Sequence, residues 1–255
     1  MIATRVKIIC PMVNIMLPDQ QLIGLQKILA VDDNSYILRG VKQALEREGY
    51  EVVTAVSGEE ALSLIKKTGL PHLALVDLNM PGMDGFELCE AIFTFSDLPI
   101  IMLTAIDDEQ TIVESLDKYA EDYITKPFRP AELAARVRRV LRRVGSFNYT
   151  LDPVIAVDDY LQVDFPERKA IVNRQEVNLT PTESRLLYIL MRNAGHTVTN
   201  HFLLKRAWPM EDAYEDRLHT HIYRLRRKIE PNPKDPKYVI SQWGAGYTFP
   251  APNQS

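Results

Sequence analysis

The sequence predicts two domains: a doubly wound, five-stranded parallel α/β sheet, then a smaller α+β unit. Three observations lead there. Between Lys27 and Val144, short apolar runs alternate with stretches of helical period. Those runs are apolar along their length, as strands covered on both faces are. After Gly145 the alternation stops, and short strand-like segments, helices and a closing hairpin signature around Gly244 and Gly246 follow.

The elements follow in order. KILAVDD (27–33) is the first strand, and SYILRGVKQALEREGY is a helix that stops at Gly49. YEVVTAV is the second strand, GEEALSLIKKTG a helix, HLALVDL (72–78) the third strand and GFELCEAIFTF a helix. LPIIMLTA (98–105) is the fourth strand, DEQTIVESLDKYA a helix and DYITKP the short fifth strand. AELAARVRRVLRRV closes the unit as a helix. GSFNYTLDP holds turn formers without a period and reads as a linker. IAVDDYLQVDFPERKAIVNRQEVNLT reads as several short strands, with helical segments starting at Thr182, Asn200 and Asp216. The expected limits are an extension over 1–26, a first domain over 27–145, a linker over 146–153 and a second domain over 154–252.

The chain has 255 residues, 46% hydrophobic and 25% charged, which excludes wholesale disorder and a membrane protein as classes. Its two cysteines, Cys10 and Cys89, lack metal-ligand spacing and fit a reducing cytoplasm. In the first 26 residues Pro11, Asn14 and Pro18 interrupt the apolar middle, and no small-residue cleavage site follows. That segment reads as a loose extension, or as an early start ahead of Met12 or Met16, rather than a secretory signal. Residues 1–145 hold 16 Lys+Arg and 21 Asp+Glu, net −5; residues 146–255 hold 14 and 13, net +1, which sums to −4. Bulk charge therefore does not announce nucleic acid, and any such signal must be local.

Polar residues gather at the carboxyl ends of the predicted strands, where open α/β sheets place their sites. Asp32 and Asp33 end the first strand, Asp77 the third, Thr104 the fourth and Lys126 the fifth. Singly, each has a bland explanation: Asp33 as a helix N-cap, Asp77 as a turn cap, Thr104 as a strand end and Lys126 as a solvated cation. Together they describe a pocket of three carboxylates, a hydroxyl and an ammonium. Clustered carboxylates repel one another unless a cation is present, and a hard divalent ion such as Mg²⁺ suits oxygen donors. Phosphoryl chemistry follows, with Asp77 as nucleophile and Thr104 and Lys126 on the phosphoryl oxygens.

VDD, LALVDLNMPGMDG, MLTA and DYITKPF together resemble the receiver domain of two-component response regulators, a flavodoxin-like fold. The resemblance implies that Asp77 accepts a phosphoryl group from a sensor histidine kinase. It implies Mg²⁺ held by Asp33, Asp77 and the backbone carbonyl of Asn79, with Asp32 acting through water. Thr104 and Tyr123 would form a switch pair, Lys126 would contact the phosphoryl group, and the bond to Pro127 would be cis. A homodimer face would use Asp117, Asp122, Glu132, Arg136 and Arg143. The sequence departs from the family at Ile112, where a basic partner for Glu132 is usual.

In the second domain, Leu218, Ile222, Leu225 and Ile229 mark one buried face of DRLHTHIYRLRRKIE (216–230). Arg217, Thr220, Tyr223, Arg224, Arg226 and Arg227 lie on or beside the other face, the local basic signal that bulk charge lacks. With LTPTESRLLYILMRNAGHTV, LLKRAW and GAGYTF, the segment 158–250 resembles the OmpR/PhoB-type winged-helix output domain. That resemblance implies promoter DNA as partner, Arg224 on a base, the other basic residues on phosphates, and the WPMEDAYED loop on RNA polymerase. The wing departs from the pattern, lacking the usual arginines near Trp243 and Thr248, so Trp243 is expected to pack or stack in place of a minor-groove contact by the wing. The expected protein is a cytoplasmic regulator rather than an enzyme. A phosphatase of the haloacid-dehalogenase kind would need a second acid where Asn79 stands, and a vestigial receiver would not keep a complete pocket.

Overall fold

The computed structural model describes residues 26–105, 120–144, 152–209 and 211–252. The first unit is a five-stranded parallel sheet in the order β2-β1-β3-β4-β5. Its strands are β1 (Lys27–Val31), β2 (Glu51–Ala55), β3 (Leu73–Asp77), β4 (Ile100–Ala105) and β5 (Asp122–Lys126). Four of its helices are described: α1 (Ser35–Glu46), α2 (Gly58–Thr68), α3 (Gly85–Phe93) and α4 (Pro130–Val144). Residues 108–119 of the predicted helix, residues 1–25 of the extension and most of the linker fall outside the described residues.

The continuous apolar runs have a structural reason. On β1, Ile28 and Ala30 face one layer while Leu29 and Val31 face the other, and every residue of β3 is buried. One layer packs Leu73, Leu75, Ile101 and Leu103 against Leu38, Val41 and Leu45 of α1 and Leu133 and Val137 of α4. The opposite layer packs Ala74, Val76 and Met102 against Ala61 and Ile65 of α2 and Leu88 and Ile92 of α3. Strands apolar on both faces leave only their ends for polar chemistry.

The second unit begins with an antiparallel sheet, β6-β7-β8-β9, formed by Ile155–Ala156, Leu161–Asp164, Lys169–Val172 and Gln175–Asn178. Asn173 and Arg174, both at positive φ (47° and 67°), join β8 to β9 in a two-residue hairpin. Three helices follow: α5 (Pro181–Arg192), α6 (Asn200–Ala207) and α7 (Glu215–Ile229). A three-stranded sheet closes the unit, β12 (Gly246–Thr248) pairing with both β10 (Thr197–Thr199) and β11 (Ile240–Gln242). The sequence gives no sign of β10, a three-residue strand that exists only by pairing with β12.

The two units are joined by polar contacts over the apolar layer that α5 shares with the first sheet. Ser184 Oγ donates to the Phe95 carbonyl at 2.9 Å, and Arg185 Nε to that of Phe93 at 2.8 Å. Arg192 donates to the Asp97 carbonyl at 3.2 Å. Arg206 on α6 forms ion pairs with Asp97 (2.8 Å) and Glu121 (2.6 Å).

Candidate functional site

The site forms where β1, β3 and β5 end. Since β3 lies beside β1 and β4, and β4 beside β5, residues distant in sequence meet there. Ligand oxygens of Asp32, Asp33 and Asp77 lie within 4.8 Å of one another. Lys126 Nζ reaches into the cluster, 2.6 Å from Asp32 Oδ2 and 2.8 Å from Asp77 Oδ1. Asp32 is fully buried and Asp77 nearly so, whereas Asp33 is exposed. Burial pushes the Asp77 carboxyl above the usual carboxylate range, against the pull of the Lys126 ammonium beside it.

The bland explanations now have answers. α1 is capped by Asn34, whose side chain accepts the Tyr36 N–H at 2.9 Å, so Asp33 is not spent on the cap. α3 is capped by Asp84 in a capping box with Glu87, so Asp77 is not a helix cap either. Asp77 does accept a backbone hydrogen bond from Asn79, two residues on, which steadies its carboxylate. The Pro-Gly-Met-Asp-Gly turn is built to fit. Gly82 takes φ +78°, Met83 N–H donates to Glu59, and a Cβ on Gly85 would overlap the Asp77 carbonyl. The close approach of α3 to the end of β3 therefore requires glycine at 85.

Thr104 is buried near the end of β4, its hydroxyl donating to the Ala105 carbonyl at 3.1 Å. Tyr123, on the neighbouring strand β5, is half-buried against the apolar layer. The Lys126–Pro127 bond is cis, as expected.

At the opposite, amino end of β5, Arg136 of α4 pairs with Asp122 and with Glu132, both at 3.1 Å. Burial opposes the Arg136 charge, but Glu132 and Asp122 hold its pKa above the ordinary arginine value. Arg136 thus neutralises both Asp122 and Glu132. Arg143 pairs with Glu121, which also holds Arg206 of the second unit. Asp117 and Ile112 lie outside the described residues.

On α7, Leu218, Ile222, Leu225 and Ile229 are buried as the period predicts. Arg217, Thr220, Tyr223, Arg224 and Arg227 are exposed. Arg217 pairs with Glu211 and lies 5.0 Å over the Trp208 ring. Arg226 differs from its sequence expectation. Its guanidinium turns inward to the Val239 carbonyl (2.8 Å) and Ser241 Oγ (2.8 Å), clamping the β11–β12 hairpin to α7.

Sequence reasoning missed Asp97, Ser184, Arg185, Arg192 and Arg206, the polar joint between the units. A signal was available: Arg185 and Arg192 interrupt the apolar face of TESRLLYILMR seven residues apart, two turns of helix. Polar residues in a helix buried on nearly all sides imply a partner surface.

Comparison with known proteins agrees with both halves. Residues 28–138 match the response regulator receiver domain family. Residues 174–249 match the family described as transcriptional regulatory protein, C terminal. The chain is 39% identical over 236 residues to a probable transcriptional regulator, ycf27, of Porphyridium aerugineum, spanning 90% of this chain and 98% of that one. It is 36% identical over 225 residues to the DNA-binding response regulator MtrA of Mycolicibacterium paratuberculosis, spanning 87% and 97%. An acidic pocket at the strand ends, a helix presenting arginines, and likeness along nearly the full length of these relatives lead to one conclusion: the chain belongs to the response regulators that join a receiver domain to an OmpR/PhoB-type transcriptional regulatory domain.

Proposed function

We propose that Asp77 is the phosphoryl acceptor of this regulator, and that its modification controls DNA binding through α7. The observation that carries the reading is the gathering of Asp32, Asp33 and Asp77 around Lys126 at the strand ends. Three carboxylates facing a single ammonium suit a hard divalent cation, so the donor set fits Mg²⁺. Asp33, Asp77 and the Asn79 carbonyl would hold it, with Asp32 acting through water, and it would neutralise charge on the transferring group. An Asp77 oxygen attacks the phosphorus of a phosphohistidine on the sensor kinase. The N–P bond breaks, and the imidazole leaves with a proton from solvent. Lys126 steadies the phosphoryl oxygens, having already drawn the two buried carboxylates into line. The chain's own chemistry ends with this self-phosphorylation and its hydrolysis.

The switch reading rests on placement. Among the described residues the Thr104 hydroxyl donates to the adjacent Ala105 carbonyl, an exchange of modest worth, and it can turn to a phosphoryl oxygen. Tyr123, on the adjoining strand, would move inward behind it, shifting the population toward a pairing-competent receiver. The receivers would pair through the face that carries Asp117, Asp122, Glu132, Arg136 and Arg143. Pairing would raise the effective concentration of two α7 helices on neighbouring half-sites. Arg224 would read a base, Arg217, Thr220, Tyr223 and Arg227 would grip the backbone, and the 208–216 loop would meet RNA polymerase. Arg226 serves as scaffold in this reading, because its donors are turned to the hairpin.

Incubation with acetyl phosphate and MgCl₂, followed by intact-mass analysis, tests the acceptor. One hydroxylamine-labile phosphoryl group on the wild type and none on Asp77→Asn is the expected result; equal labelling of the variant would refute the assignment.

A further inference from the structure

The turn that carries Asn79 is held from outside by α2, a helix that supplies none of the acidic pocket's residues. The turn closes at its base, where Gly85 N–H donates to the Leu78 carbonyl at 3.0 Å and Met80 is buried in the apolar layer. Pro81 and Gly82 stand exposed beyond that base, and the first turn of α2 meets them there. Met83 N–H donates to Glu59 Oε1 at 3.3 Å, and a Cβ on Gly82 would lie 3.3 Å from the same oxygen. Gly58 leaves the space that the Met83 side chain fills. A Cβ there would come 2.7 Å from Met83 Cγ and Sδ and 2.9 Å from Met83 Cβ.

Neither residue is needed at these positions by α2 itself. Ser57 caps the helix, its Oγ accepting the Glu60 N–H at 3.2 Å, and the Glu60 carboxylate accepts the Val56 N–H at 2.7 Å. Glu59 lies about 100° further round the helix and turns to Met83 instead. The bonds it accepts from its own N–H, the Ser57 hydroxyl and Met83 N–H hold its carboxyl below the ordinary glutamate pKa. Glycine as the first residue of a helix loses backbone entropy that alanine would keep, and the seat for Met83 is what it gives in return.

The clasp matters to the pocket because Asn79 belongs to the clasped turn. Its N–H donates to Asp77, and its carbonyl is the neutral donor of the cation site proposed for Asp33 and Asp77. A backbone carbonyl on a turn tied at both ends offers its lone pairs in one direction, and partners one step removed from a metal act by orienting its ligands. We propose that Gly58 and Glu59 are positioning residues of the phosphorylation site: by seating Met83 on α2 they fix the Asn79 carbonyl, and so set the affinity for the divalent cation. This rests on the reading of the pocket as a Mg²⁺-assisted phosphoryl acceptor.

The test uses the full chain in about 0.15 M salt, which screens exposed charges. Mg²⁺ affinity is taken from the rise of melting temperature with MgCl₂. The rate of labelling by acetyl phosphate is followed by intact mass over the same MgCl₂ series. Glu59→Ala should raise the half-saturating MgCl₂ concentration about tenfold in both measurements. Its labelling rate at saturating MgCl₂ should stay that of wild type, since only cation binding is weakened. Glu59→Gln keeps an oxygen for Met83 N–H and should match wild type. Gly58→Ala, which displaces Met83, should shift half-saturation in the same direction as Glu59→Ala. Glu59→Ala saturating with MgCl₂ as wild type does, even with a lower melting temperature, overturns the inference. So does Glu59→Gln impaired as much as Glu59→Ala, because the effect is then one of charge and not of position. In either case a wild type that responds to MgCl₂ leaves the pocket reading standing; a wild type indifferent to MgCl₂ in both measurements overturns the pocket reading as well.

Discussion

Replacing Arg206 with methionine should expose the energetics of the joint between the two units. The substitution keeps most of the side-chain volume and removes the charge. It leaves Asp97, whose side chain is 7% exposed, without the guanidinium 2.8 Å from its Oδ2. Burial already pushes the Asp97 carboxyl above its usual range, against the pull of Arg206. Three escapes are open to the variant. Keeping Asp97 charged in place costs about 3–5 kcal/mol, the usual penalty for orphaning a buried partner. Protonating it costs about 4 kcal/mol at pH 7, from an ordinary carboxylate pKa of about 3.9, but only about 1.5 kcal/mol at pH 5. Separating the units gives up the bonds of Ser184, Arg185 and Arg192 to the carbonyls of Phe95, Phe93 and Asp97, at about 1 kcal/mol each, and also uncovers the apolar layer that α5 shares with the first sheet. The cheapest escape sets the penalty, so a loss of about 3–4 kcal/mol is expected at pH 7 and about 1.5 kcal/mol at pH 5. The sign follows from proton binding. In the variant the folded chain holds the Asp97 proton to higher pH than the unfolded chain, so stability falls as pH rises through that window. Urea unfolding followed by circular dichroism at the two pH values measures this. The double variant Arg206→Met, Asp97→Leu should recover to within about 1 kcal/mol of wild type, because the orphaned Asp97 carboxylate is gone and Glu121 keeps Arg143. A pH-independent loss, or a double variant no better than the single one, would refute the reasoning.

Three further outcomes are expected. Lys126→Met leaves Asp32 and Asp77 buried without their ammonium, and should lose about 3–5 kcal/mol. Millimolar MgCl₂ should raise its melting temperature more than that of wild type, and a melting temperature indifferent to MgCl₂ would count against a cation site there. Asp77→Asn should be more stable than wild type at neutral pH, since the raised Asp77 pKa means that folding disfavours its charge; in thermal melts the gain should shrink as pH falls toward the ordinary carboxylate pKa. Gly85→Ala should destabilise the receiver by about 1–3 kcal/mol, measured by urea unfolding, because the new methyl meets the Asp77 carbonyl at the end of β3.

What the sequence determined by itself is local in origin. The apolar runs announced strands covered on both faces, and the polar residues at their ends could have no other outlet. Asp32, Asp33, Asp77, Thr104 and Lys126 were therefore legible, as was the buried stripe of α7 at Leu218, Ile222, Leu225 and Ile229. Tertiary structure decided whatever depends on which surface meets which. Arg226 and Arg227 are neighbours in one basic run, yet one faces the hairpin and the other solvent. Asp33 had the bland reading of a helix cap, but backbone geometry gave that task to Asn34 and left Asp33 to the pocket. Asp97 sits in an unremarkable loop sequence and becomes buried only because α5 and α6 cover it. A helical or strand period reports which side of an element is apolar, through spacings of a few residues. It holds no record of the partner that side will find a hundred residues away, and the joint between the two units is made of such partners.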